Sequence, residues 1–512
     1  MMKLLKIKNI IVVFSSIVFA VLILYTLKTE YTTCMGLSFI TEEEVSQMTR
    51  TQIQLDNIIC LEDTFVPYTS FNRKIFLPCD VTEETKFYDL EGRLTSILPE
   101  YDLYFLWEDA FQNLKEAVRY SCNFTLYAID SAGNYATYSV ILSTLPIIDM
   151  HGEVSYVDER EREIYAGRVT MWDPDYQDTD KLSVQESLLE WHVRGFSSSS
   201  LPLPPLKLNL KEKNGNQNKL SFLGLECDDD YLLNPMGFDD TFVREKLAMS
   251  LWNEMADAKN SSLKMTQGEY CELIVNGEYL GIRLVQNKIE KGYLKLGEED
   301  TLFKGKNVNR GTKKPPEEVY EVIYSAQDEE TTYQTISEFF YQSDFSNINL
   351  DSWVELQLFL QLGNMVDNEV YKNIYYVIER DQQSEGLSFI PWDTDMSFGV
   401  YWSDGFRLMP ETVETITYRL EYEKLRKQYP EIDDMLAQRW KELRNNVYSD
   451  ANILNKIDSY YGELYDSGAM HRDFNVLGWY AWGGDDTIET VKTYVVQRLK
   501  VLDQHYNLYL NE

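Results

Sequence analysis

Gly363-Asn364-Met365-Val366-Asp367-Asn368-Glu369-Val370-Tyr371-Lys372-Asn373, followed by Ile374 to Ile378, a polar turn from Arg380 to Gly386, Leu387 to Ile390, and Pro391-Trp392-Asp393-Thr394-Asp395-Met396-Ser397-Phe398-Gly399, is the stretch that decides the fold. Two apolar runs around a short polar turn predict a β-hairpin. The fold-back brings its ends together, so Asp367 and Asn373 at one strand's start face Asp393 and Asp395 at the other strand's end. Oxygen-bearing side chains gathered this way suit Mg²⁺ or Mn²⁺, which takes one or two carboxylates and completes its shell with phosphate oxygens and water. Phosphoryl transfer needs such a set, because the protein mainly positions the nucleotide and neutralises developing charge. In that scheme Asn373 and Asp393 or Asp395 hold the metal, and Asp367 orients or deprotonates a hydroxyl acceptor. An Asp-x-Asp next to Gly is also a common capped turn, so the joint pattern carries the reading. The order acid, asparagine, hairpin, acid mirrors that of protein kinases, with acid and asparagine six positions apart here and about five there.

Trp353 to Met365 predicts a helix that delivers the chain to Asp367. Upstream, Glu272 to Val275 and Tyr279 to Val285 flank Asn276-Gly277, the dipeptide that most readily takes the positive φ angles of a tight hairpin turn. Phe242 to Ala258 carries apolar residues on one helical stripe, with Asp239 and Asp240 at its start where negative charge suits the helix dipole. Val169 to Trp172, Leu189 to Val193 and Leu206 to Leu210 predict strands. From Glu411 onward the pattern is helical: Glu421 to Tyr429, Asp433 to Val447, Ile453 to Tyr465 and Thr487 to Tyr506.

The first half reads differently. Short aromatic-rich runs between Thr51 and Leu145, such as Lys74 to Leu77, Tyr101 to Leu106 and Phe124 to Ile129, predict a small antiparallel β-sandwich serving as a spacer. Before it, Lys3, Lys6 and Lys8 precede an uncharged stretch from Asn9 to Leu27. At about 1.5 Å per residue this helix nearly spans a bilayer core of about 30 Å. No small-residue cleavage site follows, so an uncleaved anchor is expected, with a cytoplasmic N-terminus and the bulk of the chain outside.

With 512 residues the chain exceeds one hydrophobic core. A formal net charge of -35 excludes nucleic acid as a partner, since binding a polyanion requires a basic face. The four histidines are scattered, no glycine pattern forms a Walker loop, and no cysteine pair has CxxC spacing. Pairing among Cys60, Cys79, Cys122, Cys227 and Cys271 stays open.

Several further blocks accompany the acids: Trp191-His192-Val193-Arg194-Gly195 with its serines, Asp228 to Asn234, Asn276 to Gly281, Arg439-Trp440 and Arg472. Together they resemble CotH-type proteins, a spore-coat and surface family with an atypical protein-kinase fold, over roughly Leu145 to Asp503. The resemblance implies ATP-dependent phosphorylation of Ser/Thr hydroxyls on surface or secreted proteins. Asp367 is then catalytic, Asn373, Asp393 and Asp395 bind the metal, and Arg194 and Lys207 bind the nucleotide, with Ser197 to Ser200 a candidate phosphate cradle.

Two departures temper this. The family usually follows its Arg-Gly-x-Ser-Ser block with Pro-Lys-Lys-x-Tyr, where this chain has Pro202-Leu203-Pro204-Pro205-Leu206. Lys207, a few residues later, substitutes only if its side chain shares the lost lysine's strand face, and even a shift of two residues, which keeps the face, moves the ammonium by about 6 to 7 Å. Where the family tends to have Glu-Lys-Ile, the chain has Asn287-Lys288-Ile289. The alternative is therefore a catalytically weak pseudokinase acting as a surface adhesion or scaffold protein. The expected class is α+β: residues 1–30 stub and transmembrane anchor, 45–145 sandwich-like module, and 146–505 a kinase-like domain with a helical C-terminal tail.

Overall fold

A computed structural model describes residues 38–49, 51–52, 68–69, 74–78, 102–106, 114–120, 123–152, 163–172, 184–195, 198–200, 203–221, 223–276, 278–306, 314–341, 347–368, 372–380, 385–400, 409–411, 422–477 and 487–507. The stretch from Asn9 to Leu27, expected to be a membrane anchor, lies outside them. So do Cys60, Cys79 and Cys122. Among the described residues no helix is long and apolar enough to cross a membrane. Cys227 and Cys271 are free thiols, the first exposed and the second buried.

The N-terminal unit comprises β1 (Ser38–Ile40), α1 (Glu42–Met48), β2 (Thr51–Gln52), β3 (Tyr68–Thr69), β4 (Lys74–Pro78), β5 (Asp102–Leu106), α2 (Leu114–Arg119), β6 (Asn123–Ile129) and β7 (Asn134–Ser143). The sandwich expected here is corrected: the seven described strands form one sheet, in the order β1-β5-β6-β7-β4-β3 with β2 also on β7. The reason is parallel pairing. β1 runs parallel to β5, and β4 and β2 run parallel to β7, so strands far apart in sequence join one sheet instead of stacking as two.

The next unit is a closed seven-stranded barrel, in the order β10-β11-β12-β14-β13-β8-β9. Its strands are β8 (Ile147–Gly152), β9 (Tyr165–Trp172), β10 (Val184–Val193), β11 (Leu206–Lys211), β12 (Asp230–Asn234), β13 (Gly268–Val275) and β14 (Glu278–Asn287). An odd number cannot close with antiparallel neighbours alone, and β8 pairs parallel with β13 to complete the ring. Alternation decides what fills it. On β11, Leu206, Leu208 and Leu210 are buried while Lys207, Asn209 and Lys211 are half-buried on the other face. Trp191 belongs to this apolar core, and a Cβ at Gly152 would stand 2.1 Å from its ring, so that strand requires glycine.

Helix α3 (Arg244–Asp257) follows β12 and is buried around most of its circumference. Beyond the barrel come α4 (Lys291–Leu294), β15 (Thr301–Gly305), α5 (Pro316–Val319), β16 (Tyr320–Ser325), α6 (Glu329–Tyr341), α7 (Leu350–Gly363), β17 (Ile374–Arg380) and β18 (Glu385–Pro391). Their four strands make a sheet in the order β16-β15-β17-β18. The C-terminal helices are α8 (Tyr422–Gln428), α9 (Ile432–Arg444), α10 (Asp450–Asp466), α11 (Ala469–Leu477) and α12 (Ile488–His505). One apolar core joins α3, α7, α9, α10 and α12 to the second sheet. The molecule is thus a mixed α+β protein with C-terminal helices.

Candidate phosphoryl-transfer site

Hairpin β17/β18 sets the site. Its ladder runs from Arg380 opposite Glu385 to Ile374 opposite Pro391, and extends one step further where the Trp392 N–H donates to the Asn373 carbonyl at 2.9 Å. Beyond that step both strands enter the left-handed region, with φ of 59° at Asn373 and 55° at Asp393. Asn and Asp reach these angles more readily than other non-glycine residues, so the sequence places its turn formers where the chain must leave the sheet. The entering chain turns the same way: α7 is capped at its end by Asn364 with φ 52°.

Asp367 stands between α7 and β17. Its carboxylate accepts the Lys372 ammonium at 2.5 Å and the Asn373 amide Nδ2 at 2.9 Å. Asp367 and Asn373 are therefore in direct contact. Burial raises the Asp393 pKa, the Arg194 guanidinium draws it back down, and the Asp367 charge pushes it up again. Asp395 is raised well above the ordinary carboxylate range, by burial first and then by the charges of Asp393, Glu245 and Asp367. Desolvation first, and neighbouring acids second, make Asp395 resist ionisation, so this part of the cluster favours a cation.

The barrel supplies the opposite wall. Arg194 directly follows β10, and its guanidinium carbon lies 5.7 Å from the centre of the Trp392 ring, which joins the barrel to the hairpin's base. Its charge stabilises the ionised forms of both Asp393 and Glu245. Gly195 follows with φ 94°, and a Cβ there would meet Ser198 Oγ at 2.1 Å. Ser198–Ser200 form a single 3-10 turn.

Lys207 is not brought onto the acids by its ion pair. Its ammonium lies 2.8 Å from Asp230 Oδ2, and Lys288 reaches the same oxygen at 3.5 Å. Leu203, where the resemblance would place a lysine, packs against the apolar core of the barrel.

Glu245 is the member that sequence reading missed. It lies in the first turn of α3 and is buried, and its carboxylate accepts Asn234 Nδ2 at 2.7 Å and Gln286 Nε2 at 2.8 Å. Burial, with the Asp393 charge second, pushes its pKa up to about 7 against those two donors. The available signal was an acid seven positions before Trp252, on a helix side otherwise apolar.

The donor set fits a hard divalent cation: the half-buried carboxylates of Asp393 and Asp395, whose pKa values desolvation and neighbouring acids raise, and the Asn373 side-chain oxygen, left as an acceptor because its Nδ2 serves Asp367. Asn368 Oδ1 and Thr394 Oγ1 are buried and, among the described residues, have no hydrogen-bond partner. Among the described residues no three His, Cys, Asp or Glu side chains are gathered as a ready-made metal cage. A comparison with curated proteins finds no match. The family described as CotH kinase protein matches residues 191–502, a span containing Arg194, Glu245, Asp367, Asn373, Asp393 and Asp395, and the chain belongs to the CotH kinase family.

Proposed function

We propose that this CotH family member is a membrane-anchored, extracytoplasmic protein kinase that binds Mg²⁺ or Mn²⁺ with ATP and phosphorylates Ser/Thr hydroxyls of surface or secreted proteins. The carrying observation is the Asp367–Asn373 contact beside half-buried Asp393 and Asp395. Asn373, Asp393 and Asp395 would hold the metal, which when bound supplies charge neutralisation on the transferring phosphoryl group. Arg194 supports phosphate from the barrel side, next to the Ser198–Ser200 turn. Asp367, with its oxygens fixed by Lys372 and Asn373, orients the acceptor hydroxyl. As that hydroxyl oxygen bonds to the γ-phosphorus and the β–γ bridge breaks, its proton passes to Asp367. The anchor from Asn9 to Leu27 motivates the extracytoplasmic placement.

A second reading is a pseudokinase that serves as an adhesion or scaffold protein. It is favoured by Leu203 packed against the barrel core and by Lys207 held on Asp230. Transfer of labelled γ-phosphate to protein substrate decides between them. The kinase reading expects Mg²⁺-dependent transfer that is lost in Asp367→Ala and Asp393→Ala; transfer unchanged in both variants sinks the site assignment, and none in the wild-type protein favours the scaffold.

A further inference from the structure

Asp367 is followed by a residue for which neither the family match nor the metal chemistry supplies a role. Asn368 is only 1% exposed. Its Nδ2 donates to the Asn373 carbonyl at 2.9 Å and to the Trp392 carbonyl at 2.8 Å. A side-chain amide has two N–H donors, and both are used. These two carbonyls belong to the last rung of the hairpin, the rung closed by the Trp392 N–H on the Asn373 carbonyl. Asn373 itself and Asp393, one residue past Trp392, take the left-handed angles that carry the chain out of the sheet. One amide therefore clamps both turns at once.

The other end of the amide makes the assignment sharper. Asn368 Oδ1 is buried and, among the described residues, has no hydrogen-bond partner. A buried acceptor left in that state is destabilising, and such groups persist in native structures where function keeps them. An apolar side chain here would remove both donated bonds. The chain keeps an amide because nothing else of its size gives two neutral donors. Aspartate would set acceptor oxygens against two carbonyl oxygens, leucine offers no donor, and serine offers one.

Resting on the kinase reading above, we propose that Asn368 is a positioning residue: by clamping the Asn373 and Trp392 carbonyls, it sets where Asn373 and Asp393 present their oxygens to a divalent cation. Side chains that orient metal ligands typically change metal affinity by roughly 10- to 100-fold when removed. A reacting group misplaced by about 1 Å lowers rates by roughly 100-fold.

The test is Mn²⁺ titration of the full-length protein, followed by the paramagnetic resonance of free Mn²⁺, for wild type, Asn368→Leu and Asn368→Asp. Asn349→Ala serves as the control, since Asn349 Nδ2 donates to Ser388 Oγ at 3.1 Å on the same hairpin and its Oδ1 accepts the Ser352 N–H at the start of α7, so its loss loosens sheet and helix at the ends away from the acids. The expected result is a Mn²⁺ dissociation constant roughly tenfold or more higher in both Asn368 variants, and unchanged in the control. Should either variant fail to fold, Asn368→Ser, which keeps one donor, is scored in the same way. Folded Asn368 variants that bind Mn²⁺ like wild type overturn the clamp while leaving the metal site standing. A control that weakens binding equally also overturns it, since general loosening then explains the loss. A wild-type protein that binds no Mn²⁺ removes the metal reading and the clamp together.

Discussion

Glu245→Gln tests whether the acid cluster carries the electrostatic strain inferred for it. An ordinary glutamate ionises near 4.5, whereas burial and the Asp393 charge push Glu245 up to about 7. Because the folded state holds this proton more tightly than the unfolded state does, the sign is unusual for a carboxylate. The contribution of Glu245 to stability is fully present below the unfolded pKa and is lost as pH rises from about 4.5 to about 7. Above that window, ionised Glu245 costs about 3 kcal/mol, at about 1.4 kcal/mol per pKa unit. Glutamine removes that term. It also sets its own N–H₂ against one of the Asn234 and Gln286 donors, so about 1 kcal/mol is returned. The metal-free variant should therefore be more stable than wild type by about 2 kcal/mol at pH 8 and no more stable at pH 4. Denaturation midpoints measured in chelator at both pH values check this. A variant destabilised equally at pH 4 and pH 8 would refute the reasoning, because Glu245 would then be only a hydrogen-bond acceptor.

Three other outcomes are expected. Arg472 donates to both oxygens of Glu272, each at 2.7 Å, with both side chains buried; Arg472→Leu should lose about 3 to 5 kcal/mol by stranding the glutamate. Adding Glu272→Leu should recover most of that loss in a chemical melt. Gly195→Ala, forced to adopt φ 94°, should lose about 1 to 3 kcal/mol of local stability and weaken the thermal shift produced by Mg-ATP. If Lys207 serves the nucleotide, Asp230→Asn should strengthen Mg-ATP binding by releasing the lysine from its 2.8 Å pair, and Lys207→Met should weaken it; no change in either favours the scaffold reading.

The parts of the fold legible in the sequence are the local ones. Hairpin β17/β18 announced itself through two apolar runs and a polar turn. Asn276, read as a tight-turn residue, has φ 47° between β13 and β14. Phe242 to Ala258 was read two residues too long at its start, since Phe242 itself takes φ 57° ahead of α3. Contacts between strands distant in sequence left no local mark. The parallel β8–β13 pairing that closes the barrel and the parallel strands that turn the expected sandwich into one sheet are both of this kind. Within the site, Asp367 and Asn373 are six residues apart and their contact follows from one turn. Glu245 is more than a hundred positions away, and only the docking of α3 against the amides of β12 and β14 brings its charge to Asp393. Lys207 was judged by strand parity, which fixes its face but says nothing of Asp230 as a competing partner.

Central to this account is that Asn373, Asp393 and Asp395 together form a divalent-cation site used with nucleotide. Crystals grown with Mn²⁺ and a non-hydrolysable ATP analogue, measured at the manganese absorption edge, test it directly. An anomalous peak is expected, bonded to at least one of Asp393 and Asp395 and to analogue phosphate, on the side of the cluster facing Arg194. Nucleotide bound with manganese elsewhere, or bound with no anomalous peak at these residues, would contradict it.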